Sequence, residues 1–165
     1  MNNIVLIGMP SCGKSTVGVI LAKKLGYRFS DSDLLIQERE GMLLHEIISE
    51  YGIDGFLKIE NDVNRSLSVS KTVISTGGSV VYCDEAMEHL RSIGKVIYID
   101  ISYETLVRRL GDFSHRGVII RNGSTLYDMY LERRELYEKY ADVTVKISEG
   151  DDICQSLDKL LERLI

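Results

Sequence analysis

The stretch Gly8-Met9-Pro10-Ser11-Cys12-Gly13-Lys14-Ser15 places its chemistry-bearing residues at the fixed spacing G-x-x-x-x-G-K-[ST]. A polyphosphate needs several N–H donors pointing inward, and only a tight glycine-bearing loop brings the backbone that close. Lys14 adds a mobile positive charge for the outer phosphates, and Ser15 offers a hydroxyl to Mg²⁺. The helix that follows starts beneath the phosphates, with its positive end toward the anion. The expected nucleotide contacts are therefore Gly8, Ser11, Cys12, Gly13, Lys14, Ser15 and Thr16. Cys12 also lies near a helix N-terminus and Lys14, a setting that can activate a thiol. The alternative is an inert small residue of the loop.

The flanks supply the elements that must hold such a loop. Ile4-Val5-Leu6-Ile7 is a continuous apolar run, as in a strand buried on both faces. Val17, Leu21 and Leu25 recur at four-residue spacing with Ala22 beside them, and Gly26 ends that helix. Further strands are expected at Arg28–Asp31, Thr72–Thr76, Lys95–Ile101 and Val143–Ile147, after a first at Asn3–Gly8. Helices are expected near 14–25, 34–40, 43–50, 54–70, 84–92, 103–110, 124–140 and 152–164. Strands alternating with helices predict an α/β fold of three layers, a five-stranded parallel sheet covered on both faces. Ligands of such sheets bind beyond the C-terminal strand ends, where the candidate residues cluster.

The chain has 165 residues, the size of one ordinary domain, with 44% hydrophobic and 27% charged residues. A net charge of −5 argues against a nucleic-acid surface, which needs clustered Lys and Arg. No apolar run approaches membrane-spanning length and no signal peptide precedes the loop, so a cytoplasmic protein is expected. Cys12, Cys83 and Cys154 form neither a metal-ligand pattern nor a disulfide framework, and three reduced thiols are expected. Residues 112–123 form a polar segment bounded by Gly111 and Gly123 and carrying Arg116 and Arg121. A long insertion here is a candidate lid, which would exclude water and bring cations to a phosphoryl group. An ordinary surface loop is the alternative.

Together these residues resemble the shikimate kinase family of P-loop small-molecule kinases, over nearly the whole chain. The resemblance implies a single domain of the nucleoside monophosphate kinase-like build over 1–165, with acceptor-binding helices about 33–60. It implies ATP and Mg²⁺, a small-molecule acceptor and a monomer. Asp31-Ser32-Asp33 matches the family's D-x-D, so Asp31 would support the metal and Asp33 would bind and deprotonate the acceptor hydroxyl. A helix N-cap is the other use of Asp33.

Phe56-Leu57-Lys58-Ile59-Glu60 follows the family's F-R-x-x-E except at Leu57, where the family arginine helps hold the substrate carboxylate. Lys58 is no easy replacement, since neighbouring helix positions point about 100° apart. Gly77 and Gly78 match two of three substrate-side glycines, and Ser79 replaces the third. Arg109 matches an arginine lying against adenine, with a solvated helix arginine as the alternative. Arg116 matches the lid arginine that reaches the transferred phosphate. Arg133-Arg134-Glu135-Leu136-Tyr137 follows R-x-P-L-Y with Glu135 in place of proline, so Arg133 would clamp the substrate carboxylate. Its neighbours also read as a salt-bridged solvated face. The implied activity is transfer of the γ-phosphate of ATP to a hydroxyl of shikimate. The rivals are a kinase for another hydroxylated acceptor, a sugar acid or nucleotide, and a non-catalytic nucleotide-binding regulator.

Overall fold

In the computed structural model, which describes residues 3–111 and 118–164, five parallel strands form one sheet of order β2-β3-β1-β4-β5. They are β1 (Asn3–Gly8), β2 (Arg28–Asp31), β3 (Thr72–Ser75), β4 (Lys95–Asp100) and β5 (Val143–Lys146). β1 lies at the centre, with Val5 opposite Ile74 of β3 and Val96 of β4. Its Ile4, Val5, Leu6 and Ile7 are wholly buried, as a strand covered on both faces requires. The last three strands each end one residue before the expected ends at Thr76, Ile101 and Ile147. At Thr76, for example, both the N–H and the hydroxyl turn to the Leu6 carbonyl, at 3.2 and 2.9 Å.

The helices among the described residues are α1 (Lys14–Leu25), α2 (Ser32–Glu40), α3 (Leu44–Arg65), α4 (Asp84–Ile93), α5 (Tyr103–Leu110), α6 (Leu126–Tyr140) and α7 (Ile153–Glu162). α1 runs from Gly13 to Gly26, both left-handed, and packs so closely that a Cβ on Gly18 would lie 2.8 Å from the Phe29 ring. The segments expected at 43–50 and 54–70 are one element, α3, kinked at Gly52, where φ is 71°. It stops at Arg65, short of the apolar Leu67 and Val69, because Ser66 caps it with its N–H and hydroxyl on carbonyls of the last turn. A short 3-10 turn, Val80–Tyr82, follows β3, where periodicity gave no signal.

Two apolar clusters result among the described residues. One fills both faces of the sheet, and the smaller one joins α2 and α3 through Ile36, Ile47, Phe56 and Val63, with Ile119 against them. No helix among the described residues is long and apolar enough to cross a membrane.

Candidate active site

The phosphate loop leaves β1 at the C-terminal edge of the sheet, where the order reverses about the central strand. Gly8 adopts φ 149°, and a Cβ there would lie 2.6 Å from the Ile99 carbonyl oxygen, so the loop starts pressed against β4. Ser11 and Gly13 have positive φ, which folds the backbone inward. The Lys14 ammonium donates to the Gly8 and Met9 carbonyls at 2.9 and 2.8 Å and is held beneath the loop. Cys12 is buried, with its sulfur 3.6 Å from Lys14 Nζ and placed where a Cβ on Gly8 would lie 3.0 Å from it. It packs the loop from within, so the reading that fits is the inert one. Cys12, Cys83 and Cys154 are all unpaired.

Ser15 Oγ donates to Asp31 Oδ2 at 2.6 Å and lies 3.1 Å from Ser75 Oγ. Asp31 Oδ1 accepts the Asp33 N–H at 3.0 Å, so Asp31 caps α2. The capping role considered for Asp33 thus belongs to Asp31, because the helix begins at Ser32, two residues earlier than the apolar pattern indicates. Asp33, released from capping, turns into a cavity of about 270 Å³ shared with Lys14, Ser15, Gly77, Gly78 and Arg133. Burial, then the neighbouring Asp31 charge, raise the Asp33 carboxyl to about 6, against the pull of Lys14.

Gly77 and Gly78 are glycines for steric reasons. A Cβ on Gly77 would lie 2.6 Å from both Asp33 Oδ1 and Glu60 Oε1. A Cβ on Gly78 would meet Pro10 at 2.9 Å and Arg133 Nη1 at 3.1 Å. The Gly78 carbonyl accepts the Tyr137 hydroxyl at 2.5 Å, which ties this turn to α6.

Arg133 is 1% exposed. Its Nη2 donates to the Ile119 carbonyl at 2.6 Å, and its guanidinium lies 5.4 Å from the centre of the Tyr82 ring. The solvated salt-bridged face exists, but Arg134 carries it, paired with Glu138 at 3.3 Å and Asp100 at 3.8 Å. One residue of helix rotation separates the two arginines. Arg109 Nη1 reaches the Cys12 carbonyl at 3.3 Å and lines a second cavity of about 220 Å³ with Cys12, Gly13, Thr16 and Ile153. Arg109 is therefore folded over the loop and is not a freely solvated helix residue. Gly13 and Thr16 border both cavities, so the phosphate loop lies between them.

Of the candidate lid, Arg116 and the rest of 112–117 lie outside the described residues. Val118 and Ile119, just beyond, line the cavity that holds Asp33 and Arg133. Of the departures from the family pattern at Leu57, Ser79 and Glu135, only Ser79 lines that cavity. Glu135 is exposed on α6, and Leu57 is half-buried between the two apolar clusters.

Sequence reasoning passed over Glu60 as a site residue. It is wholly buried, its Oε2 accepts the Ser79 hydroxyl at 2.6 Å, and its Oε1 has no hydrogen-bond partner among the described residues. Burial pushes its carboxyl up to about 8, against the Ser79 hydrogen bond. An acidic residue at the inward position of an amphipathic helix was the available signal.

A phosphate loop at the head of a parallel sheet, with a cavity on either side, defines a P-loop phosphotransferase. A family model described as shikimate kinase matches residues 10–164. A shikimate kinase of Clostridium botulinum (strain Eklund 17B / Type B) is 35% identical over 97% of each chain, and one of Persephonella marina is 33% identical over 99% of each. The structure of shikimate kinase from Acinetobacter baumannii in complex with shikimate superposes with a TM-score of 0.87 at 29% identity, covering 99% of this chain and 91% of that one. The chain belongs to the shikimate kinase family and is an ATP-dependent kinase.

Proposed function

We propose that this protein transfers the γ-phosphate of ATP to a hydroxyl of shikimate, with the acceptor in the cavity floored by Asp33 and Arg133. The observation that carries this is the placement of a carboxylate and a buried guanidinium in one cavity beside the phosphate loop. ATP spans the loop, with its base in the cavity beneath Arg109 and its phosphates along Gly8–Thr16. The acceptor oxygen attacks the γ-phosphorus as the bond to the ADP oxygen breaks, and Asp33 receives the hydroxyl proton. Lys14 neutralises charge on the transferring group, and Arg133 fixes the acceptor's anionic end. Gly77 and Gly78 let backbone approach the acceptor.

The Ser15 hydroxyl and Asp31 carboxylate form a pair of hard oxygen ligands beside the loop. No cluster of three or more His, Cys, Asp or Glu suited to a metal occurs among the described residues. That donor set fits Mg²⁺, which takes one or two protein oxygens and completes its shell with phosphates and water. Bound there, the metal would draw charge from the phosphate oxygens. Arg116, carried by a lid of about 112–123, is assigned the contact with the transferred phosphate. The working unit is a cytoplasmic monomer whose residues 1–165 form one kinase domain.

Loss of a second arginine at Leu57 favours one rival, an acceptor with a weaker demand for cations. ADP release measured with ATP–Mg²⁺ and shikimate, gluconate or a nucleoside monophosphate tests the proposal. Turnover that requires shikimate supports it. Turnover only with another acceptor refutes the shikimate assignment, and none with any acceptor favours the regulator.

A further inference from the structure

We propose that Ser79 is a positioning residue of the acceptor site, whose hydroxyl fixes the buried Glu60 carboxyl so that Glu60 backs Asp33. The inference rests on the acceptor-site reading above. Glu60 is wholly buried on α3, yet its helix supplies no partner for the carboxyl. Leu57, one turn before it on the same face, is apolar. Asn64, one turn after it, spends its amide on the Glu60 backbone carbonyl at 2.8 Å. Among the described residues the carboxyl's hydrogen-bond donor is Ser79, from the turn after β3, at 2.6 Å.

That bond selects which carboxyl oxygen faces Asp33. With Oε2 held by Ser79, Oε1 is directed to the space beside the Gly77 Cα that Asp33 Oδ1 also borders. Oε1 is buried and has no hydrogen-bond partner among the described residues. A carboxyl in this setting, with its ionised form disfavoured by burial, carries its proton on the oxygen that Ser79 does not occupy. Glu60 then offers an O–H toward the Asp33 side, which steadies the carboxylate that meets the acceptor hydroxyl. The charged and titratable groups facing Glu60 are Asp33 from α2, Lys14 from α1, Arg133 from α6 and Cys83 after the 3-10 turn. None of them replaces the Ser79 hydrogen bond.

The test is a double-mutant cycle of Ser79→Ala and Glu60→Met in steady-state kinetics with shikimate. It is paired with ¹³C NMR titration of the Glu60 carboxyl in substrate-free wild type and Ser79→Ala. Ser79→Ala is expected to lower kcat/KM for shikimate by about tenfold or more while the ATP KM moves less than about twofold. In the Glu60→Met background the same change is expected to have almost no further effect, since the coupled partner is gone. The Glu60 midpoint is expected to rise in Ser79→Ala, because a donor that favours the charged form has been removed. Unchanged acceptor kinetics, an equal loss in ATP KM, or additive losses across the cycle would overturn the proposal. If wild type does not use shikimate, the functional assignment fails, and the titration alone decides. An unmoved Glu60 midpoint then overturns the Ser79–Glu60 link.

Discussion

Replacing Arg133 separates its two tasks. One guanidinium nitrogen holds the Ile119 carbonyl at 2.6 Å, while Nη1 lies on the Gly78 side of the cavity shared with Asp33. Arg133→Met keeps the volume and removes both. A charged hydrogen bond to the acceptor's anionic end is worth ~1.5–3 kcal/mol, so the acceptor KM should rise roughly 10–150-fold. The Ile119 bond and the contact with Tyr82 contribute to folding, together about 2–4 kcal/mol in a buried setting. That corresponds to a fall in Tm of roughly 5–15 °C for a domain of this size.

Arg133→Lys keeps the charge but, as a single point donor, cannot serve Ile119 and the acceptor together. It should fall between wild type and Arg133→Met. Initial rates by ADP release, with acceptor varied at saturating ATP, give the KM, and thermal denaturation gives the Tm. A lowered Tm with an acceptor KM within about threefold of wild type would refute the reasoning and leave Arg133 a structural clasp.

Lys14→Met should remove most turnover while leaving the fold intact, since it deletes only the ammonium under the loop; normal turnover with any acceptor would refute the phosphate-loop assignment. Leu57→Arg should lower the shikimate KM by up to roughly tenfold, and by more in a Glu60→Gln background, because Glu60 one turn on competes for the guanidinium. No change in either background would place the anionic end of the acceptor beyond reach of position 57. Glu60 titrates near 8 in the folded chain against 4.5 when unperturbed, so the native state binds the extra proton between these values. Its contribution to stability is therefore present below about 4.5 and lost as pH rises to about 8. Glu60→Gln should flatten the decline in Tm between pH 5 and 8, and an unaltered decline would show that Glu60 is not the group responsible.

The loop and its two flanks were legible in the sequence because each depends on local spacing. The Gly8 and Gly13 positions, the buried run of β1 and the amphipathic face of α1 are all set within a few residues. The five strands follow for the same reason, since apolar runs between turn residues mark them. The kink in α3 was half visible, as two helices separated near Gly52.

The sequence by itself determined the phosphate loop, the alternation of strands and helices, and the resemblance that places Asp31, Asp33 and Arg133. Only the tertiary structure decided which arginine of α6 turns inward, since Arg133 and Arg134 differ by a rotation that only packing against Tyr82 and Ile119 resolves. It also decided that Asp31 caps α2 while Asp33 faces the cavity, and that Leu57 and Glu135 stand outside that cavity while Ser79 lines it. The pairing of Glu60 with Ser79 has no sequence period behind it. The two meet because β3 lies beside β1, which brings the turn after β3 under α3 and next to the phosphate loop. Contacts of this kind are fixed by strand order and close packing, which no local spacing encodes.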